Sequence, residues 1–362
     1  MRVGVFAPSG SGKTSYLVGL YDVLNEKSLL SDTEYALSFA IEDRAVRGAF
    51  DGHCRTLLMK RGKPRFPRPT EELTRFSFAV RHKVKNYKHV IEVLDFPGEA
   101  IRGDRPNADA AAQVEKYHTS CDAFIVLLDG SVFARSLGPR ETPYELAAKS
   151  IHDQLDEAIR SKANSELTKA GTPVAFCVSK LDLLDRDQVC KATETLRKIF
   201  VRIFESNPPC PILLAGVSLG QDIETDGEFA PFHLEVPLEF CLLMCAANAT
   251  LHNNELEMRW DGYRYTTKEK LERRTAMALL DRLFDWWQTG RTQKSYVEEL
   301  KSDTARFQEY ARKTHEFRSL AEEALRALRD LPPGEAPEIY LSGKQCKLAE
   351  RLGNGGFPLE PI

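Results

Sequence analysis

An α/β domain with a mainly parallel sheet and one antiparallel hairpin strand, followed by an α-helical C-terminal region, is the architecture this sequence predicts. Three observations carry that expectation. Short apolar runs alternate with longer amphipathic stretches up to about Ser218, the pattern of strands linked by helices that cover both faces of a sheet. Two of the runs, Leu73–Val80 and Lys88–Asp95, are joined only by a short polar stretch around Lys85-Asn86, too little chain for a helical crossover. Beyond Val217 the apolar residues recur at spacings of three and four instead. The 362 residues, 42% hydrophobic and 28% charged, can build a packed core, which excludes a disordered tail protein and a disulfide-stapled miniprotein.

In chain order the expected strands are Arg2–Ala7, Leu73–Val80, Lys88–Asp95, Asp122–Asp129, Pro173–Ser179 and Pro211–Gly216. The expected helices between them are Lys13–Asn25, Ala108–Thr119, Tyr144–Ala163 and Asp187–Ser206. The domain formed by these elements is expected to occupy residues 1–235. Pro237 then opens an apolar helix to about Leu251, and Thr266-x-x-Glu269 and Ser295-x-x-Glu298 both read as capping boxes. Gly290 between them reads as a helix stop. Residues 236–331 are therefore expected to form a helical hairpin or coiled-coil-like region. Its interspersed, nearly balanced charges suit ion-paired exposed helices. Pro332-Pro333-Gly334 ends it, and residues 332–362 read as a Gly/Pro-rich tail.

Fifty basic against fifty-three acidic residues give a formal charge of -3, so nothing calls for nucleic acid or an anionic membrane as partner. The eight cysteines are scattered without a C-x-x-C pair and read as buried, reduced thiols. Arg2 runs straight into a strand-like segment, leaving no room for a signal peptide, and Val236 to Leu251 is too short to span a bilayer. A soluble, cytoplasmic protein with no transmembrane segment is the expectation.

The chemistry is concentrated in a few short motifs. Ala7-Pro-Ser9-Gly10-Ser11-Gly12-Lys13-Thr14-Ser15 stands between the first strand and the first helix and fits the P-loop pattern, with alanine in place of the usual first glycine. Successive backbone N–H groups of such a loop nest around a phosphate at the helix N-terminus. Lys13 reaches the β- and γ-phosphate oxygens, and Thr14 offers its hydroxyl to Mg²⁺. Asp95 closes the apolar run His89–Asp95, where a nucleotide-bound Mg²⁺ is usually held through water. It continues as Asp95-Phe-Pro-Gly98-Glu99, and Gly98 can present its N–H to a γ-phosphate.

Asp95-x-x-Gly98 after an antiparallel strand resembles the second switch of the translation-factor and Ras-like (TRAFAC) class of P-loop GTPases. Within that class the chain is similar to bacterial, operon-encoded double-GTPase-type proteins. The resemblance covers roughly residues 1–235. It implies a P-loop NTPase fold, GTP and GDP as ligands, Mg²⁺ as cofactor, and hydrolysis of GTP to GDP and phosphate that is slow without a partner. It also implies an Asn/Thr-Lys-x-Asp motif after the fifth strand, which here reads Ser179-Lys180-Leu181-Asp182. Asp182 would accept from guanine N1–H and the N2 amino group, and Lys180 would lay its methylenes over the base. Ser179 keeps a hydroxyl to brace the P-loop, with less reach than asparagine. A backbone N–H near Ser218 would meet guanine O6.

Relatives place a glutamine after Asp-x-x-Gly, where this chain has Glu99, the expected water-orienting group. The stretch between Thr14 and Asp95 is long for the class, and the surplus, about 30–72, is assigned to an enlarged first switch. It contains Arg55, Lys60, Arg61, Lys63, Arg65 and Arg68 with no acid from Cys54 through Thr70. Thr70 is the candidate switch threonine for Mg²⁺, with Thr56 and Thr74 as alternatives, and Arg68 the candidate arginine supplied in cis. A regulatory switch read by a protein partner, or by its own helical region, is the leading reading. A dynamin-like self-assembling GTPase, a non-hydrolysing GTP-binding scaffold and an ATPase are the alternatives.

Overall fold

A computed structural model describes residues 1–26, 35–39, 47–48, 51–52, 54, 57, 74–82, 88–95, 119–135, 142–163, 171–206, 209–220, 230–250, 316, 318–331, 337–350, 352 and 358–362. Its centre is a ten-stranded sheet. In chain order the strands are β1 (Arg2–Phe6), β2 (Tyr35–Phe39), β3 (Thr74–His82), β4 (Lys88–Asp95), β5 (Ala123–Asp129), β6 (Val174–Ser179), β7 (Pro211–Val217), β8 (Glu338–Leu341), β9 (Lys344–Leu348) and β10 (Leu359–Pro361). Across the sheet they run β10-β9-β8-β7-β6-β5-β1-β4-β3-β2.

Strands β4, β1, β5, β6 and β7 are parallel neighbours, so their carboxyl ends share one edge. β3 lies antiparallel to β4, from Thr74 opposite Asp95 to Arg81 opposite Lys88. The hairpin expected from the short Lys85-Asn86 connection is therefore present. β2 was not anticipated. It pairs antiparallel with β3 and forms the outer edge. Part of the stretch assigned to an enlarged first switch is thus a sheet strand. Residues 47–48, 51–52, 54 and 57 are helical, and Cys54 and Leu57 are buried in the main core.

The longer helices among the described residues are α1 (Lys13–Glu26), α2 (Pro143–Ala163), α3 (Arg186–Ile199), α4 over 236–250 and α5 over 318–329, with single turns at Gly130–Phe133 and Val201–Phe204. The helix expected at Ala108–Thr119 lies outside the described residues apart from Thr119. Both faces of the central strands are buried, as continuous apolar runs require. On one face Val3, Val5, Ile125, Cys177 and Leu213 share a core with Leu17 and Leu20 of α1, Phe240, Leu243 and Met244 of α4, and Leu320, Ala324 and Leu328 of α5. On the other, Phe124, Val126, Phe176 and Ile212 meet Ile151 and Leu155 of α2, Leu196 of α3, and Phe200. All eight cysteines are free and six are buried.

Two expectations about organisation are corrected. The helix opened by Pro237 is not part of an appendage beginning at 236. It lies against the sheet, with Cys241 Sγ donating to Phe124 O at 3.8 Å and Cys245 Sγ to Asp122 O at 3.6 Å. Its length of apolar surface is explained by burial of nearly the whole helix. The terminal segment is not a tail either. β8 pairs antiparallel with β7, and β9 and β10 continue outward. Ser342 and Gly343 link β8 to β9 with φ of 52° and 72°, the two positive values that a two-residue hairpin turn of the I′ type requires. The two capping boxes at Thr266 and Ser295 lie outside the described residues.

Candidate functional site

The loop from Ala7 to Gly12 leaves β1 at the carboxyl edge of the parallel strands and turns into α1. Gly10 and Gly12 have φ of +85° and +84°. A Cβ added to either would meet nothing within 4 Å, so the chain's own requirement there is left-handed backbone, not room. Ser11 N–H donates to Pro8 O at 3.2 Å and Tyr16 N–H to Gly12 O at 2.7 Å, which closes the loop and starts the helix. Ser11, Lys13 and Ser15 are buried, Thr14 is half-buried, and Ser9 and Gly10 are exposed. α1 begins at Lys13, so the positive end of the helix dipole falls at this loop.

Ser179 ends β6, two strands from β1 with β5 between. Its buried Oγ lies 3.0 Å from Ser11 O and 3.2 Å from Leu128 O, so its one hydrogen is shared between these two carbonyls, the nearer being Ser11 O. Ser179 is thus hydrogen-bonded to the loop that follows β1. Lys180 follows in left-handed conformation, φ 59° and ψ 38°. That reversal throws the next residues into a 3₁₀ turn, Leu181–Leu183, which carries Asp182. Leu181 rests on Gly216 of β7, where a Cβ would fall 2.4 Å from Leu181 Cδ2. Asp185 closes the segment with a capping box to Gln188 at the head of α3.

The Lys180 ammonium is not left pointing into solvent. It meets Asp129 Oδ2 at 2.6 Å, while Oδ1 of the same carboxylate accepts from Ser131 N–H at 2.9 Å and Ser131 Oγ at 2.7 Å. Asp129 N–H in turn reaches the Tyr144 hydroxyl, which lies 2.7 Å from Ser11 Oγ. Burial raises the Tyr144 phenol well above its ordinary range, against the opposing pull of its bonds to Ser11 and Asp129. It stays protonated at neutral pH and can donate.

Asp129 and Tyr144 were not among the sequence-derived candidates. Asp129 appeared only as the end of a strand. The signal for Tyr144 was Thr142-Pro143-Tyr144-Glu145, a capping box with proline in the first helical position. Thr142 N–H donates to Glu145 Oε2 at 2.7 Å, and Glu145 N–H to Thr142 Oγ1 at 3.2 Å.

Ser218, just past β7, gives its N–H to Phe232 O at 3.1 Å and accepts Phe232 N–H at 3.0 Å. Its own N–H is thus committed within the fold. Asp95 ends β4, the strand beside β1, with Gly4 opposite Leu94. Asp95 and the P-loop therefore leave adjacent parallel strands at the same edge. Thr74 lies opposite Asp95 in the first position of β3, a sheet position rather than a switch loop. Thr70, Thr56, Arg68, Gly98, Glu99 and the basic strip around them lie outside the described residues. Among the described residues no cluster of His, Cys, Asp and Glu could hold a metal on its own, and no helix is long and apolar enough to cross a membrane.

Residues 1–207 match the family model described as Double-GTPase 2. No curated protein matches the chain. Among solved structures, translation elongation factor SelB from Methanococcus maripaludis, in complex with the GTP analogue GppNHp, is similar over 60% of this chain and 29% of that one. Its identity is 13% and its TM-score 0.31. The signal recognition particle receptor SRb-GTP/SRX complex from Chaetomium thermophilum is similar over 56% of this chain and 80% of that one, at 16% identity and a TM-score of 0.31. The chain thus spans less than a third of the elongation factor's length. It belongs to the Double-GTPase 2 family.

Proposed function

We propose that this member of the Double-GTPase 2 family hydrolyses GTP to GDP and phosphate with Mg²⁺, slowly on its own, and serves as a switch. The observation that carries the reading is the bond from Ser179 Oγ to Ser11 O, which ties a Ser-Lys-x-Asp turn to a P-loop. A phosphate nest and a turn ending in an acid, held at one separation, suit a ligand with phosphates at one end and a planar base at the other.

In this reading Ser9 to Ser15 enclose the phosphates and Lys13 neutralises the charge that builds on the β- and γ-oxygens. Asp182 accepts from guanine N1–H and N2, a pair that adenine lacks, so an ATP complex leaves a carboxylate desolvated and unpaired. The stem of Lys180, its ammonium anchored on Asp129, lies along the base. Since Ser218 N–H is committed to Phe232, the contact to guanine O6 falls to the following N–H groups, those of Leu219 and Gly220.

The Thr14 hydroxyl and Asp95 are hard oxygen donors leaving adjacent strands at one edge, which fits Mg²⁺ better than a softer metal; Thr70 completes the set. Held by these oxygens, the ion would supply positive charge to offset that of the phosphates. Gly98 offers its N–H to the γ-phosphate, Glu99 orients the attacking water, and Arg68 adds charge in cis. A protein partner, or a second copy of the chain, reads the state through the segment between α4 and α5.

Binding of GTP, ATP and XTP to the wild type and to Asp182→Asn tests the assignment. The wild type prefers GTP, and the variant gains XTP, whose O2 accepts from the new amide. Retention of GTP preference over XTP in Asp182→Asn overturns it.

A further inference from the structure

Outside the nucleotide motifs, one side chain touches the phosphate loop and, through Asp129, is linked to Lys180. Tyr144 stands in the first turn of α2, held there by the Thr142–Glu145 capping box. Its ring packs edge-on to Phe133 with centroids 5.6 Å apart. Its hydroxyl accepts the backbone N–H of Asp129 and lies 2.7 Å from Ser11 Oγ. An N–H can only donate, so the phenol's own hydrogen is available to Ser11. Asp129, 5% exposed, grips Lys180 with one oxygen and Ser131 with the other. The hydrogen-bonded path therefore runs Ser11, Tyr144, Asp129, Lys180. It lies beside the shorter path from Ser11 O to Ser179 Oγ.

We propose that Tyr144 is a positioning residue whose hydroxyl clamps the phosphate loop to the end of β5, and through Asp129 to the base-reading lysine. The proposal rests on the GTP-binding reading above. Its physical basis is preorganisation. The loop contains Gly10 and Gly12, so on its own backbone it samples many conformations. A ligand that binds only one of them loses affinity in proportion to the fraction of loops already in place. Ser11 is 1% exposed, so without the phenol its hydroxyl and the Asp129 N–H lose a partner where water does not easily replace it. The clamp sits behind the loop and touches no reacting atom in this arrangement, so its loss changes how long a nucleotide stays, not which base is read.

The test is release of a fluorescent GDP analogue from the full chain with Mg²⁺, together with GTP and XTP affinities. It compares the wild type, Tyr144→Phe, Ser11→Ala, the double variant and Asp182→Asn. Tyr144→Phe and Ser11→Ala each speed release by about tenfold, the scale of one buried hydrogen bond. The double variant is no faster than Tyr144→Phe alone, because both changes break the same bond. The ratio of GTP to XTP affinity is unchanged in all three. A merely structural tyrosine lowers the melting temperature without that non-additivity. Release from Tyr144→Phe within twofold of wild type, or additive losses in the double variant, overturns the clamp while Asp182→Asn still switches the base. If the wild type binds no GTP, or Asp182→Asn leaves the base preference unmoved, the GTP reading falls and the clamp with it.

Discussion

At the residue scale, the short side chain of Ser179 reaches the loop after β1 because β5 and β6 are in register. Leu128 stands opposite Val178 and Asp129 opposite Ser179, which brings the hydroxyl within 3.2 Å of Leu128 O and 3.0 Å of Ser11 O. Ser179→Ala leaves those carbonyls without this donor. The cost is about 1 kcal/mol or somewhat more, seen as a five- to tenfold loss of GTP affinity in calorimetric titration.

Glu239 shows the opposite case, a charge-bearing group in an unfavourable place. It lies in the first turn of α4 at 5% exposure, and burial, with Glu235 adding repulsion, pushes its carboxyl up to about 8. The unfolded chain releases this proton near the ordinary value of 4.5 and the folded chain keeps it to about 8. Between those limits the folded state binds more protons, so this group's contribution to stability falls as pH rises and levels off above 8. The slope is at most about 1.4 kcal/mol per pH unit. Denaturant melts of Glu239→Gln should lose that part of the pH dependence and gain stability relative to wild type at pH 8.

At the scale of elements, the turn that carries Asp182 is closed by its own bonds, Leu183 N–H to Lys180 O at 3.1 Å and Leu184 N–H to Leu181 O at 3.0 Å, and is placed by its neighbours. Leu181 sits in the space left by Gly216 on β7, and Asp185 anchors the far side by capping α3. Gly216→Ala drives a methyl to 2.4 Å from Leu181 Cδ2, so the Leu181 side chain must shift and the 3₁₀ turn loses its seat on β7. Overpacking of this kind costs about 1–3 kcal/mol in a well-packed site. Here the larger effect should appear in GTP affinity, with phosphate-loop residues unaltered; equal GTP affinities in Gly216→Ala and wild type would contradict this. The antiparallel hairpin β3–β4 was readable in advance because so few residues connect its strands that no crossover is possible. β2 was not readable. Its pairing with β3 is contact between Tyr35–Phe39 and Phe78–His82, distant in sequence and marked by no turn motif between them.

Across the whole molecule, one core joins segments that the sequence distributes among three regions. α4, α5 and the terminal strands all bury side chains with α1 and the parallel sheet. β8 covers the edge of β7, with Ile339 and Tyr340 buried on opposite faces. Deleting residues 337–362 exposes the β7 edge and the apolar side chains next to it. Size-exclusion chromatography should show aggregation and loss of a cooperative melt. A dispensable tail would leave both unchanged.

Local chemistry made part of this protein legible in its sequence. The loop after β1 needs left-handed backbone at Gly10 and Gly12, the Ser179-Lys180-Leu181-Asp182 turn follows a strand end, and alternating apolar runs need a sheet. Each demand is met within a few neighbouring residues. Tertiary structure alone decided the rest. Whether an apolar helix at 236–250 packs on its own domain or begins another depends on which surface covers it, and its periodicity is the same in both cases. The bonds from Tyr144 to Ser11 and Asp129 likewise arise from the packing of α2 beside β5. A hydrogen bond spanning 133 residues leaves no trace in spacing or composition.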